Sequence, residues 1–254
     1  MKRYTGMVVL LAVLALFALF WALPASWALP LLQRRMPGVH LDAVGGSLWQ
    51  GHAENVSDDK GRLLGRVDWT LSRRVVLGQL AFSFDFHGPA GTAGGELEGE
   101  GDVQAWRHVR LDLDISRLKL PPAWRLEGAT GRLSGTFDTL TLRSNWPQDL
   151  IGTLRWRNAA VVSRGETANL GDLRADLAGM ANVIHGELRD EGDGPIALQG
   201  NLLVAPIGWR LVANLRPRQA DAALERVLAR WARKAADGSY PVNLHAGVVP
   251  AEAP

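Results

Sequence analysis

From about residue 64 onward, apolar side chains return at every second position along most of the chain. Val67, Trp69 and Leu71 alternate with Arg66, Asp68 and Thr70, and Leu80, Phe82, Phe84 and Phe86 alternate with Ala81, Ser83 and Asp85. Leu111, Leu113 and Ile115 alternate with Asp112 and Asp114. A two-residue period places apolar groups on one face of a strand and polar groups on the other. The pattern continues through 133–137, 140–143, 154–156, 161–162, 173–177, 184–188, 196–204, 209–215 and 240–248. Turn formers separate the runs, among them Gly88-Pro89, Asn145-Trp146-Pro147 and the Asp/Gly-rich stretch 190–195. Strands at short spacing with turns between them predict an all-β fold, a half-buried antiparallel sheet with up-and-down connections.

A loose Gly-x-Leu repeat runs through these strands, at Gly46, Gly95, Gly131, Gly152, Gly186 and Gly200. Its spacing is too irregular for a solenoid. Two readings stand: glycines marking turns and bulges, or glycines curving the sheet into a half-barrel groove with an apolar inner face. Residues 72–78 read as a single helical turn. Residues 219–237 read as one amphipathic helix, with Leu224, Val227, Leu228 and Trp231 on one stripe, Pro217 before it and Gly238 after it. Such a helix caps the open end of a sheet or lies on a membrane or partner.

Residues 7–27 form an apolar run preceded by Lys2 and Arg3 and followed by Arg34 and Arg35. As a helix it is long enough to cross a hydrocarbon core of about 30 Å, and its uncharged part exceeds the usual core of a cleaved signal peptide. It predicts a single-pass signal-anchor whose membrane residues include Met7, Leu10, Leu14, Phe17, Phe20 and Leu23. The basic N-terminus faces the cytoplasm under the positive-inside rule. The expected organisation is a stub and anchor over 1–30 and one β domain over 31–254, periplasmic in a Gram-negative cell.

Residues that carry chemistry are few. The chain of 254 residues has no cysteine, which removes thiol catalysis and thiolate metal sites. Net charge is +2, and no run of basic residues longer than a pair suggests nucleic acid as a partner. The histidines His40, His52, His87, His108, His185 and His245 are scattered, without metal-ligand spacing. Glu96, Glu98 and Glu100 lie on one side of a strand, a solvated acidic face rather than a converging calcium shell. Ser47, Ser72 and Ser134 lack a nucleophile elbow, and the glycines of 91–95 open no helix. The sequence predicts no enzyme, no cofactor and no metal. Candidate contact residues are Leu48, Trp49, Trp69 and Phe84, as face-lining apolar groups; ordinary core packing is the other reading of the indoles.

The chain resembles the type II secretion system protein N family and, more broadly, the AsmA-like group. The residues that carry the likeness are the basic N-terminus and apolar run, then Gly46-Ser47-Leu48-Trp49-Gln50-Gly51-His52-Ala53, and Gly65-Arg66-Val67-Asp68-Trp69 with Leu77-Gly78. Gly131-Arg132-Leu133-Ser134-Gly135, Gly152-Thr153-Leu154-Arg155-Trp156, Gly171-Asp172-Leu173-Arg174, the 194–200 segment and Leu215-Arg216-Pro217 follow in order. The resemblance implies an inner-membrane, single-pass accessory component that supports export of folded proteins across the outer membrane. Its partners would be other type II secretion components, the secretin or inner-membrane platform proteins. The AsmA-like likeness implies the alternative, a lipid-binding or lipid-transfer module with an apolar β groove.

Overall fold

The structure, a computed structural model, describes residues 23–28, 38–58, 60–117, 126–144, 146–180, 182–192 and 194–248. Met7, Leu10, Leu14, Phe17 and Phe20 of the expected anchor lie outside the described residues. Among those described, no helix is long and apolar enough to cross a membrane. Leu23, at the end of the run, accepts a 2.8 Å hydrogen bond from the Leu48 amide through its carbonyl. The described residues fall into two compact units that meet between Pro89 and Ala90.

The first unit is an antiparallel meander of β1 (Val39–Gly46), β2 (Gln50–Asp58), β3 (Leu63–Leu71) and β4 (Gln79–Gly88). Leu41, Ala53 and Val56 form its buried centre, with Val44, Leu64, Val67, Trp69 and Phe86 packed around them. The alternation in β3 and β4 explains this directly, since only their apolar faces contribute. Two local devices set the hairpins. The Asp58 carboxylate accepts from the amides of Lys60 and Arg62, both at 2.9 Å, and from the Arg62 guanidinium. The Arg62 amide first, with the Arg62 guanidinium and the Lys60 amide, outweighs desolvation and holds its pKa at about 2. Between β3 and β4 the expected helical turn is a 3-10 turn over Arg73–Leu77, begun by the Ser72 hydroxyl and closed by Gly78 at φ 83°.

The second unit carries β5 (Gly91–Glu100), β6 (Val103–Asp114), β7 (Gly128–Arg143), β8 (Trp146–Ser163), β9 (Glu166–Met180), β10 (Val183–Asp190), β11 (Ile196–Ala205), β12 (Gly208–Pro217) and β13 (Tyr240–Gly247). Each pairs antiparallel with the next, so the curved sheet is built wholly from local connections. Two strands differ from the sequence expectation. Runs 133–137 and 140–143 belong to one strand of 16 residues, and 154–156 and 161–162 to one of 18. Bulges between Thr130 and Arg132, Phe137 and Thr139, and Trp156 and Ala159 interrupt the pairing without ending it. Gly131 at φ 113° and Asn158 at φ 49° take the backbone through two of them.

Helix α1 (Ala222–Leu228) has seven residues, shorter than the expected 219–237. Asp221 begins it, its carboxylate accepting from the amides of Ala223 and Leu224 at 2.9 and 3.1 Å. Leu224, Val227 and Leu228 are fully buried and share one cluster with Val161, Leu170, Ile196, Leu215 and Tyr240. Beyond Trp231 the stripe positions become Lys234 and Ala235, which offer little apolar area to hold further turns in place. The chain turns away and enters β13. Glu166 on β9 binds Arg226 at 2.6 Å and Arg230 at 3.1 Å, fixing the helix across the end of the sheet.

The register explains the Gly-x-Leu repeat. Across the inner face, Phe137 lies opposite Gly152, Gly152 opposite Leu177, Leu177 opposite Gly186, and Gly186 opposite Leu202. The adjacent row runs Leu111, Gly135, Leu154, Ala175, Leu188, Gly200, Ala213. Large and small side chains alternate across strands. A Cβ on Gly135 would fall 2.6 Å from Leu154 Cδ2, and one on Gly186 would fall 3.0 Å from Leu177 Cδ2. The glycines here make room for the neighbouring leucine as well as any bend in the strand.

Candidate interaction surfaces

The sequence-predicted contact residues all lie in the first unit. Trp69 and Phe84 sit directly opposite each other in the β3–β4 register, with Gly51 opposite Trp69 on the other side. Gly51 leaves space that the indole occupies: an added Cβ would lie 2.6 Å from Trp69 Cζ2. The Trp69 indole N–H donates to the Leu48 carbonyl at 3.3 Å, which ties Leu48 to the same patch. Phe82 stacks beside Phe84 with ring centroids 6.2 Å apart. Trp49 is different. It is only 4% exposed, and the Arg73 guanidinium lies 5.6 Å over its ring. Trp69 and Phe84 thus present partly exposed aromatic surface, and Trp49 is enclosed.

The opposite face of this unit is ionic. Arg66 grips Asp68 through two hydrogen bonds of 2.7 and 3.0 Å and reaches Glu54 at 3.3 Å. The side-chain bond from Arg66 lowers the pKa of Asp68 against the opposing effect of desolvation. In the second unit the acidic face expected at β5 is paired across to β6, with Glu98 3.3 Å from Arg107 and Glu96 3.4 Å from His108. Among the described residues, no cluster of histidines and carboxylates has the geometry to hold a metal ion.

The second unit presents two further surfaces, an apolar inner face, which the sequence offered as one of two readings of its glycines, and an edge that the sequence did not locate. One is its inner face, where Leu111, Leu113, Leu133, Phe137, Leu154, Leu177, Leu188 and Leu202 are all partly exposed. Helix α1 covers only the end of that face near Ile196 and Tyr240. The other is the edge. Among the described residues β13 pairs only with β12, leaving a row of backbone groups directed away from the sheet. The bond from the Val248 amide to the Ile207 carbonyl, 3.0 Å, sets the phase. Even-numbered amides of β13 face β12, and those of Asn243 and His245 face outward. Pro241 falls in the outward set, where a missing N–H leaves the ladder intact.

An open antiparallel meander with an apolar inner face, a free edge and a small capping helix defines a class of surface-presenting β proteins. The family model for type II secretion system (T2SS), protein N, matches residues 37–243, and the chain belongs to that family of secretion components. Among curated proteins and among solved structures, nothing matches the chain.

Proposed function

We propose that the protein is an accessory or assembly component of the type II secretion system that acts by protein–protein contact. In this reading residues 1–30 anchor it in the inner membrane, and the β units from residue 31 lie in the periplasm. Its partners are other components of the machine, the secretin or the inner-membrane platform proteins. The observation that carries the contact mechanism is the outward edge of β13, which offers main-chain donors and acceptors to an added strand. Trp69 and Phe84 supply a second, aromatic contact on the first unit. The test is deletion of the protein with exported enzymes assayed in medium and periplasm. Folded exoproteins should accumulate in the periplasm and return to the medium on complementation. Unchanged export would overturn the reading.

A second reading is an envelope lipid-binding module. The partly exposed leucines on the inner face of the second unit favour it, because an apolar face of that extent is costly to leave against water. It predicts phospholipid co-purifying with the detergent-extracted protein. Leu113→Asp should abolish that lipid without unfolding the chain.

A further inference from the structure

We propose that one end of the second unit, made by the β9–β10 turn, the β11–β12 turn and the end of β13, rests on a phospholipid surface. The meander brings these three tips together. Ile184 pairs with Val204, so the turn after Met180 and the turn at Ile207 lie side by side, and Val248 bonds Ile207. Their most prominent side chains are apolar and outward: Met180 is 75% exposed, Ile207 69% and Val248 67%. None of the three carries a charge over residues 177–184, 202–209 and 246–248. Asn182, a polar side chain among them, is already engaged by Gln148, and its carbonyl accepts from the Trp146 indole at 2.9 Å.

The first charged or titratable residues behind the tips are Asp176 on β9, His185 on β10, Arg210 on β12 and His245 on β13, the last three in one register row with Leu203 between His185 and Arg210. An apolar tip backed by a basic or protonatable row, with an indole at its margin, is the arrangement that suits an anionic headgroup layer and the hydrocarbon beneath it. The neighbouring turns are charged: Glu100 and Asp102 at β5–β6, and Arg143 before β8. They bound the uncharged area to the β9–β13 side.

The other end of the same unit is the internal contrast. Its turns carry Arg164 and Glu166, Asp190 and Glu191, and Arg216 and Arg218, and α1 lies across it with Arg226 and Arg230. A protein partner would be met by hydrogen-bonding side chains round an apolar centre. These tips offer almost none.

The absence of native cysteine makes the test clean. The full chain carrying Ile207→Cys, or Arg164→Cys at the charged end, is labelled with an environment-sensitive fluorophore. Each is reconstituted into vesicles of phosphatidylethanolamine and phosphatidylglycerol containing a nitroxide lipid. The Ile207 label should shift to the blue and be quenched several-fold more than the Arg164 label. Adding Met180→Asp and Val248→Asp should erase that difference while the circular dichroism spectrum is kept. Equal, weak quenching at both positions would overturn the proposal. So would an Ile207 label that stays water-exposed on vesicles and is shielded only when other envelope proteins are added.

Discussion

Proline placed at two adjacent positions of β13 separates docking from folding. His245→Pro removes an amide directed away from β12, so no ladder bond is lost. Its cost is the restriction of φ, offset by about 0.4–1 kcal/mol from a stiffer unfolded chain. A net change within about 1 kcal/mol is expected. Leu244→Pro removes an amide that, by the phase set at Val248, bonds the carbonyl of Leu211, its register partner. A lost bond of about 0.5–1.5 kcal/mol and an unsatisfied carbonyl of about 1–3 kcal/mol give roughly 2–4 kcal/mol. A body of this size loses about 2–4 °C of Tm per kcal/mol, so thermal melts of the detergent-purified proteins resolve the two variants. Each is then expressed in a deletion strain and export into the medium is assayed. His245→Pro should accumulate normally, melt near the wild type and fail to restore export. Normal export by a well-expressed His245→Pro protein would refute docking at this edge. A melt as low as that of Leu244→Pro would refute the assigned phase.

Three further outcomes follow from the packing. Leu228→Ala should cost about 2–5 kcal/mol in denaturant unfolding, because the side chain is fully buried under the sheet and the one short helix cannot collapse onto the void. Gly135→Ala should cost about 1–3 kcal/mol by overpacking against Leu154, and Leu154→Val in the same chain should recover part of it in the same measurement. Asp190 provides the pH test. Burial would raise its pKa, but the Leu198 amide, the Arg218 guanidinium and the Gly192 amide outweigh it and lower the pKa. A lowered folded pKa stabilises fully above the unfolded value near about 3.9 and is lost as the pH falls through the folded one. The stability gap between wild type and Asp190→Asn should therefore be widest near neutrality and narrow in titrations below about pH 4. A gap independent of pH would remove the charge from the explanation.

Strand β4 was readable because Leu80, Phe82, Phe84 and Phe86 keep one parity from end to end, and β6 only over Leu111 and Leu113, past the register shift near His108. In β7 the bulge between Phe137 and Thr139, and in β8 the one between Trp156 and Ala159, change that parity, and one long strand then reads as two short ones. The helix was placed correctly and overextended: the stripe through Trp231 is real, but its last apolar member packs from a turn and not from a continued helix. Trp49 and Trp69 look alike in sequence. Only the cation over Trp49, and its seat just before β2, distinguish an enclosed indole from a partly open one. The edge was not legible, because Pro241 marks an outward position only once the β12–β13 register is known. The uncharged end was invisible for a different reason, since residues near 180, 207 and 248 become neighbours only once the strand order is known.

The alternation of large and small residues also guards the chain against a specific folding error. A one-residue slip between strands exposes the apolar face and is rejected in any half-buried sheet. A two-residue slip keeps polarity correct and ordinarily meets weaker opposition. Here it would set Leu154 against Leu133 and Leu177 against Leu188, while Gly152 faced Gly135 and Gly179 faced Gly186 across voids, and it would set Leu188 against Leu202. The inner face therefore proofreads pairing by shape where polarity cannot. Removing two residues from a hairpin of this sheet should be far less forgiving than its plain up-and-down topology suggests.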